Sequence, residues 1–169
     1  MDTVTQDTLL FFDRHRAVYP LYELFREKLL ARFPESRIKV QKSQISYYHR
    51  YLYACVSFLR VKKKAELPEE FFVLTLGLPA PLESDRVAAK TEPYPGRWTT
   101  HFVISRPSDL DKELFDWIEQ AYCFAQSKRY SAASRLPGSG KRSDGGRRKN
   151  VNGAAPDFRS NKKPGHDAR

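Results

Sequence analysis

Beyond Ser127 the chain carries only two aromatic residues, Tyr130 and Phe158, while every other Phe, Tyr and Trp lies before that point. Six of the eight glycines fall in the same late stretch. Fixing one residue's backbone costs roughly 1–2 kcal/mol, and burial of large apolar groups is the main term that offsets it. A stretch so poor in those groups cannot close a core. The sequence therefore divides into a compact domain over residues 1–127 and a tail over residues 128–169 that is expected to stay disordered.

The same boundary divides the charge. The whole chain is +10, which on its own suggests a nucleic-acid partner. The tail holds twelve Lys and Arg against Asp144, Asp157 and Asp167, so it carries +9 and leaves about +1 for the domain. A globular nucleic-acid binder usually carries its own basic face. Any such binding is expected in the tail, at Lys141, Arg142, Arg147, Arg148, Lys149, Lys162 and Lys163. These cations can grip phosphates without sequence preference.

Within the domain, Thr8 to Arg16 reads as a short helix. Pro20 suits the first turn of a second one, where its missing N–H costs little. Leu21, Leu24, Phe25, Leu29 and Phe33 then make a single apolar stripe that Pro34 ends. From Ile38 the period changes to two. Ile38–Gln41, Ile45–Tyr48, Tyr51–Val61, Phe71–Leu78 and Trp98–Ser105 read as five strands. Ser108 looks like the N-cap of a last helix with Leu110, Leu114, Trp117, Ile118, Ala121 and Phe124 on one face. This order predicts an α+β domain: N-terminal helices, a five-stranded, mainly antiparallel sheet and a C-terminal helix, with the helices on one face.

Pro79 to Arg97 shows no clear periodicity over nineteen residues and holds four prolines. Loops longer than about 12–15 residues inside a compact domain tend to be functional or disordered, and an ordered, functional loop is expected here. Lys90, Tyr94, Arg97, Trp98 and His101 flank it, and Lys42 and Gln44 lie at the turn between the first two strands, with Tyr47 following. Arg97 offers a planar fork for carboxylate or phosphate, Lys42 and Lys90 add point charges, and Tyr94 and Trp98 can wall a pocket. His101 can act near neutral pH. In the competing reading Trp98 packs on the sheet, His101 is a satisfied strand residue and the cations are solvated.

Other chemistry is thinly represented. His15, His49, His101 and His166 are far apart, and neither cysteine has a ligand-spaced partner, so neither a metal motif nor a cofactor is expected. Asp13, Glu23 and Glu27 are the carboxylates that an oxygen-ligated iron would use. Cys55 and Cys123 read as buried free thiols of a reducing compartment. The tail's Pro-Gly-Ser-Gly-Lys-Arg-Ser is no phosphate loop, because Arg135 and Arg142 stand where a glycine and a hydroxyl residue are needed. No serine sits in a Gly-flanked elbow, so enzymatic activity is not expected. With no apolar run near 18 residues and an acidic second residue, a cytoplasmic location is expected.

The segments Ile38-Lys39-Val40-Gln41-Lys42-Ser43-Gln44-Ile45-Ser46-Tyr47 and Ala89-Lys90-Thr91-Glu92-Pro93-Tyr94-Pro95-Gly96-Arg97-Trp98-Thr99-Thr100-His101 resemble a bacterial family catalogued only as a domain of unknown function. The resemblance runs from about Leu9 to Phe124 and omits the tail. That family is distantly similar to the small α+β group of YdhG-like and YjbR-like proteins. Some of the former are described as frataxin-like iron chaperones, and the latter are often labelled DNA-binding. The resemblance implies the fold and no settled activity. The reading that follows is a small binding module for an anionic ligand. Its alternatives are a nucleic-acid accessory protein acting through the tail and an iron-handling protein.

Overall fold

A computed structural model describes residues 3–127. Helix α1 spans Thr3–Phe11, and a short 3-10 turn at Arg16–Val18 leads into α2, Tyr19–Arg32. Pro20 occupies the first turn of α2 as its missing donor predicts. Leu21, Tyr22, Phe25 and Leu29 form the buried stripe of α2, and the helix closes where the Phe33 amide donates to the Leu29 carbonyl at 2.8 Å.

Six strands follow: β1 Arg37–Val40, β2 Gln44–Tyr48, β3 Leu52–Ser57, β4 Phe72–Leu78, β5 Val87–Tyr94 and β6 Arg97–Ile104. They make one sheet in the order β1-β2-β3-β4-β6-β5, with every neighbouring pair antiparallel. The expected count of five is therefore corrected to six. The extra strand is β5, which lies inside the segment expected to be a loop. It pairs with β6 alone, so the chain leaving β4 crosses to the far edge and returns through a tight turn into the gap. The central strands β3 and β4 are bounded by Leu52–Ser57 and Phe72–Leu78, shorter than the apolar run from Tyr51 to Val61 suggested. As an exposed edge, β5 carries Pro93, which cannot donate to a new strand, along with Lys90 and Glu92.

The last helix, α3, spans Lys112–Gln126, and its N-cap is Asp111 rather than Ser108. Asp111 accepts from the Leu114 amide at 3.0 Å. Ser108 lies in a preceding 3-10 turn, Pro107–Asp109, where the Asp109 carboxylate accepts from the Ser105 and Arg106 amides at 3.0 Å each. Helices α2 and α3 cover one face of the sheet. Phe25 meets Phe72 at 5.7 Å between ring centroids, and Phe102 stacks on Trp117 at 5.3 Å. Ile45, Val56, Leu74, Leu76 and Ile104 fill the space between, all of them at most 1% exposed. Truncating one such large side chain to Ala costs about 2–5 kcal/mol.

One irregularity adds to this core. Tyr47 pairs with Ala54 but Tyr48 with Leu52, so Tyr53 is the extra residue of a bulge. It turns onto Phe33 and Tyr122, and its hydroxyl meets Ser36 Oγ at 2.6 Å. The cysteines are both free, as expected, but Cys123 is exposed. It falls on the outer side of α3, next to buried Phe124 and two residues after buried Ala121. Among the described residues no helix is long and apolar enough to cross a membrane.

Candidate functional site

Alternation along the strands sends the large apolar residues toward the helices and small ones to the opposite face. On that second face Ser46, Cys55, Thr75 and His101 stand side by side across β2, β3, β4 and β6. Gln44, Ser57, Val73 and Val103 form the adjacent row, and Gly77 pairs with Thr99 on the other side. Part of this face is closed, since Ser46 and Val73 are fully buried. Across it the central strands present Ser, Cys, Thr and Gly, which leaves a depression.

The depression is a pocket of about 270 Å³ floored by Cys55, Thr75 and Gly77, with Gln44 and Leu59 on one side and Arg97 and His101 on the other. That volume suits a small ligand or one end of a larger one. Arg97 heads β6 and lies across Gly77. Its Nε and Nη2 both sit 3.8 Å from where a Cβ at position 77 would stand. The guanidinium is thus presented along the pocket floor, and the bare backbone of Gly77 leaves it room.

His101 is fixed from one side, with Nδ1 and Thr75 Oγ1 2.8 Å apart. Partial burial pulls its pKa below the ordinary 6.5, so the ring is neutral at pH 7 in the empty pocket. Cys55 is shifted the other way: burial raises its thiol pKa, with the Thr75 hydroxyl pulling weakly in the opposite sense. A protonated thiol is a poor nucleophile. Beside this row Arg97 adds a cation, so a guanidinium and an imidazole border the same pocket.

The structure brings three of the sequence-derived residues together here, Gln44, Arg97 and His101. Lys42 is exposed on the β1–β2 turn and borders a neighbouring groove. The remaining four lie elsewhere. Tyr47 is fully buried and its hydroxyl donates to Tyr22 Oη at 2.9 Å, on the helix side of the sheet. Trp98 pairs with Leu78 and packs against the core on that same side. Lys90 pairs with Thr100, its ammonium bonded to the Leu82 carbonyl at 3.3 Å and to the Glu83 carboxylate. Tyr94 closes the β5–β6 hairpin opposite Arg97. Sequence reasoning missed Cys55, Thr75 and Thr99. Their signal was the phase of small polar residues between the large apolar ones on consecutive strands. The tail residues Lys141, Arg142, Arg147, Arg148, Lys149, Lys162 and Lys163 lie outside the described residues.

Fold and pocket together define a two-layer α+β domain, with helices on one face of an antiparallel sheet and a ligand-sized hollow on the other. Residues 10–125 match the family model described as Domain of unknown function (DUF5655), and the chain belongs to that family. Comparison with curated proteins and with solved structures gave no match.

Proposed function

We propose that the domain is a binding module for a small anionic ligand, seated on the second face of the sheet with its anionic group at Arg97 and His101. The observation that carries this reading is the convergence of Arg97 and His101 on one pocket over small polar side chains, on the face opposite α2 and α3. A guanidinium fork binds carboxylate or phosphate through two parallel hydrogen bonds, and burial strengthens each of them. An imidazole that is neutral when the pocket is empty gains a proton once an anion lies beside it. Lys90, engaged with Glu83, is not part of this site.

Thermal unfolding in inorganic phosphate and in simple carboxylates tests the reading. A ligand at a hundred times its dissociation constant stabilises the fold by about 2.7 kcal/mol. Arg97→Ala should abolish that stabilisation while leaving the ligand-free protein nearly as stable as wild type. An undiminished anion effect in Arg97→Ala would place the ligand elsewhere.

The distant likeness to YdhG-like and YjbR-like proteins raises iron handling and DNA binding as other readings. Among the described residues no group of three or more His, Cys, Asp or Glu is gathered as metal ligands would be, and Glu23 faces Arg26 at 3.8 Å. Binding of DNA rests on the tail cations. Removal of residues 128–169 separates it from the pocket, since polyanion binding would go while phosphate binding at Arg97 stays.

A further inference from the structure

The pocket at Arg97 does not stand alone. Gln44, Ser57 and Leu59 line it and also line a larger groove of about 720 Å³ beside the end of α1. The wall of this groove is firm: Phe58 stacks on His15 at 3.8 Å and on Phe11 at 5.2 Å between centroids. At its mouth stand Leu59 and Leu10, which are 53% and 74% exposed. Two large apolar side chains left in water on either side of an apolar wall mark where a further apolar group would be covered.

The floor between the two cavities has little need of hydrogen bonds from a ligand. Thr75 Oγ1 is engaged by His101, Ser57 Oγ accepts from the Leu59 amide at 3.4 Å, and Gln44 Nε2 donates to Ser46 Oγ at 2.9 Å. What these bonds leave toward the ligand is mostly methyl, methylene and thiol surface, with the Gln44 side-chain oxygen and the Ser57 hydroxyl as its polar points. The path is also long. From β6, which carries His101, to β2, which carries Gln44, is three strand spacings, about 14 Å at roughly 4.8 Å each.

Resting on the anion site proposed above, we infer that the ligand is an elongated amphiphile. It is a carboxylate or phosphate monoester whose anionic head meets Arg97 and His101 and whose apolar chain crosses the floor to end against Leu59 and Leu10. The cation that lines the pocket, Arg97, stands at its far end from the groove, which places the anionic head there. Arg14 and Lys42 border the groove itself, so a ligand with a second anion at its tail is the alternative to be tested.

The experiment is calorimetric titration of the full chain with butyrate, octanoate and dodecanoate below their micellar concentrations, beside an alkane dicarboxylate of matching length. Affinity should climb with length by up to about fourfold for each methylene that is buried. The dicarboxylate should bind more weakly than its monocarboxylate partner. The double variant Leu10→Ser/Leu59→Ser, altered only at exposed positions, should flatten the length dependence. Arg97→Ala should weaken every member of the series equally. Arg97-dependent binding that does not grow with length overturns the amphiphile and keeps the anion site. So does a tighter dicarboxylate, or a length dependence that survives the double variant. Affinities indifferent to Arg97→Ala overturn both.

Discussion

Thr75 and His101 stand directly opposite one another on β4 and β6, and the threonine hydroxyl holds the imidazole Nδ1 at 2.8 Å. The bond sets the ring's orientation and leaves Nε2 as the nitrogen that a ligand would meet. Because the partner is a hydroxyl and not a carboxylate, nothing in this contact favours the charged ring. Burial is then free to lower the pKa.

That lowering has a definite sign in stability. The folded state holds the His101 proton less well than the unfolded chain, whose value lies near 6.5. Stability is complete above that value and is lost as pH falls from it through the lower folded pKa. In urea unfolding, His101→Gln should therefore gain on the wild type as the solution is acidified. A difference that stays constant with pH would show that burial does not shift the group. Ligand binding runs the opposite way: an anion beside Arg97 favours the imidazolium. Phosphate affinity should rise on acidification in wild type and lose that component in His101→Gln.

Tyr47 and Tyr22 supply a prediction on the other side of the sheet. Both side chains are fully buried and their hydroxyls are 2.9 Å apart. Tyr47→Phe leaves the Tyr22 hydroxyl buried without that partner, which costs about 1–3 kcal/mol. The double variant with Tyr22→Phe should recover part of the loss, because neither orphan remains. Burial pushes the Tyr22 pKa up to about 12 and holds Tyr47 well above 10. The stability linked to the pair is complete below pH 10 and is lost as pH rises from there through the folded values. Denaturant midpoints measured up this alkaline range should fall less steeply in the double variant. Anion binding should not change, and a loss of it in Tyr47→Phe would return Tyr47 to the ligand site.

Arg86 joins the start of β5 to the start of α3. Its Nη1 donates to both oxygens of Asp111 at 2.8 and 2.9 Å, Nη2 donates to the Asp109 carbonyl at 2.7 Å, and the guanidinium lies 5.4 Å from the centre of the Trp117 ring. Asp111 is also the N-cap of α3, so one carboxylate serves both elements. Asp111→Ala should cost about 1–2 kcal/mol through the cap alone. Arg86→Ala should cost a similar amount, discounted because the pair is partly exposed. Unfolding of the double variant measures the coupling: a loss smaller than the two single losses together shows that they share one interaction. Strict additivity would separate the cap from the clamp.

Helices α2 and α3 and five of the strands were legible because the apolar residues of each repeat with period 3.6 or period 2, whereas α1, expected over Thr8–Arg16, lies at Thr3–Phe11 and buries Thr8 alone. Strand β5 was not legible. Its residues Val87–Tyr94 include no continuous apolar set, since an edge strand paired on one side alone buries little. What it does carry is a turn signal, Pro95-Gly96, between two stretches of equal length. The candidate site was half legible for a related reason. Residue type marked Arg97, His101 and Gln44 as able to bind an anion, but strand phase decides which face each side chain reaches. Trp98 and Tyr47 lie one and three residues from Arg97 and Gln44, and odd spacing on a strand means the opposite face.

The same turn yields the last prediction. Gly96 has φ 75°, in the left-handed region, directly after Pro95 and before Arg97. Proline followed by a residue of positive φ fits a type II turn, whose third position favours glycine for want of a Cβ. The Gly96 amide also donates to Glu92 Oε1 at 2.9 Å, which ties the turn back to β5. Nothing stands within 4 Å of a Cβ added at this position, so any penalty comes from backbone conformation and not from crowding. Gly96→Ala should cost about 1–2 kcal/mol, Gly96→Val more and Gly96→Asn less. Because β5 pairs only with β6, the damage should stay local. Amide exchange should quicken along Val87–Tyr94 while β3 and β4 keep their protection. Arg97 leaves the turn directly into the pocket, so phosphate affinity should fall in the order Asn, Ala, Val. A Gly96→Val protein with wild-type exchange in β5 and wild-type phosphate affinity would show that the turn does not position Arg97.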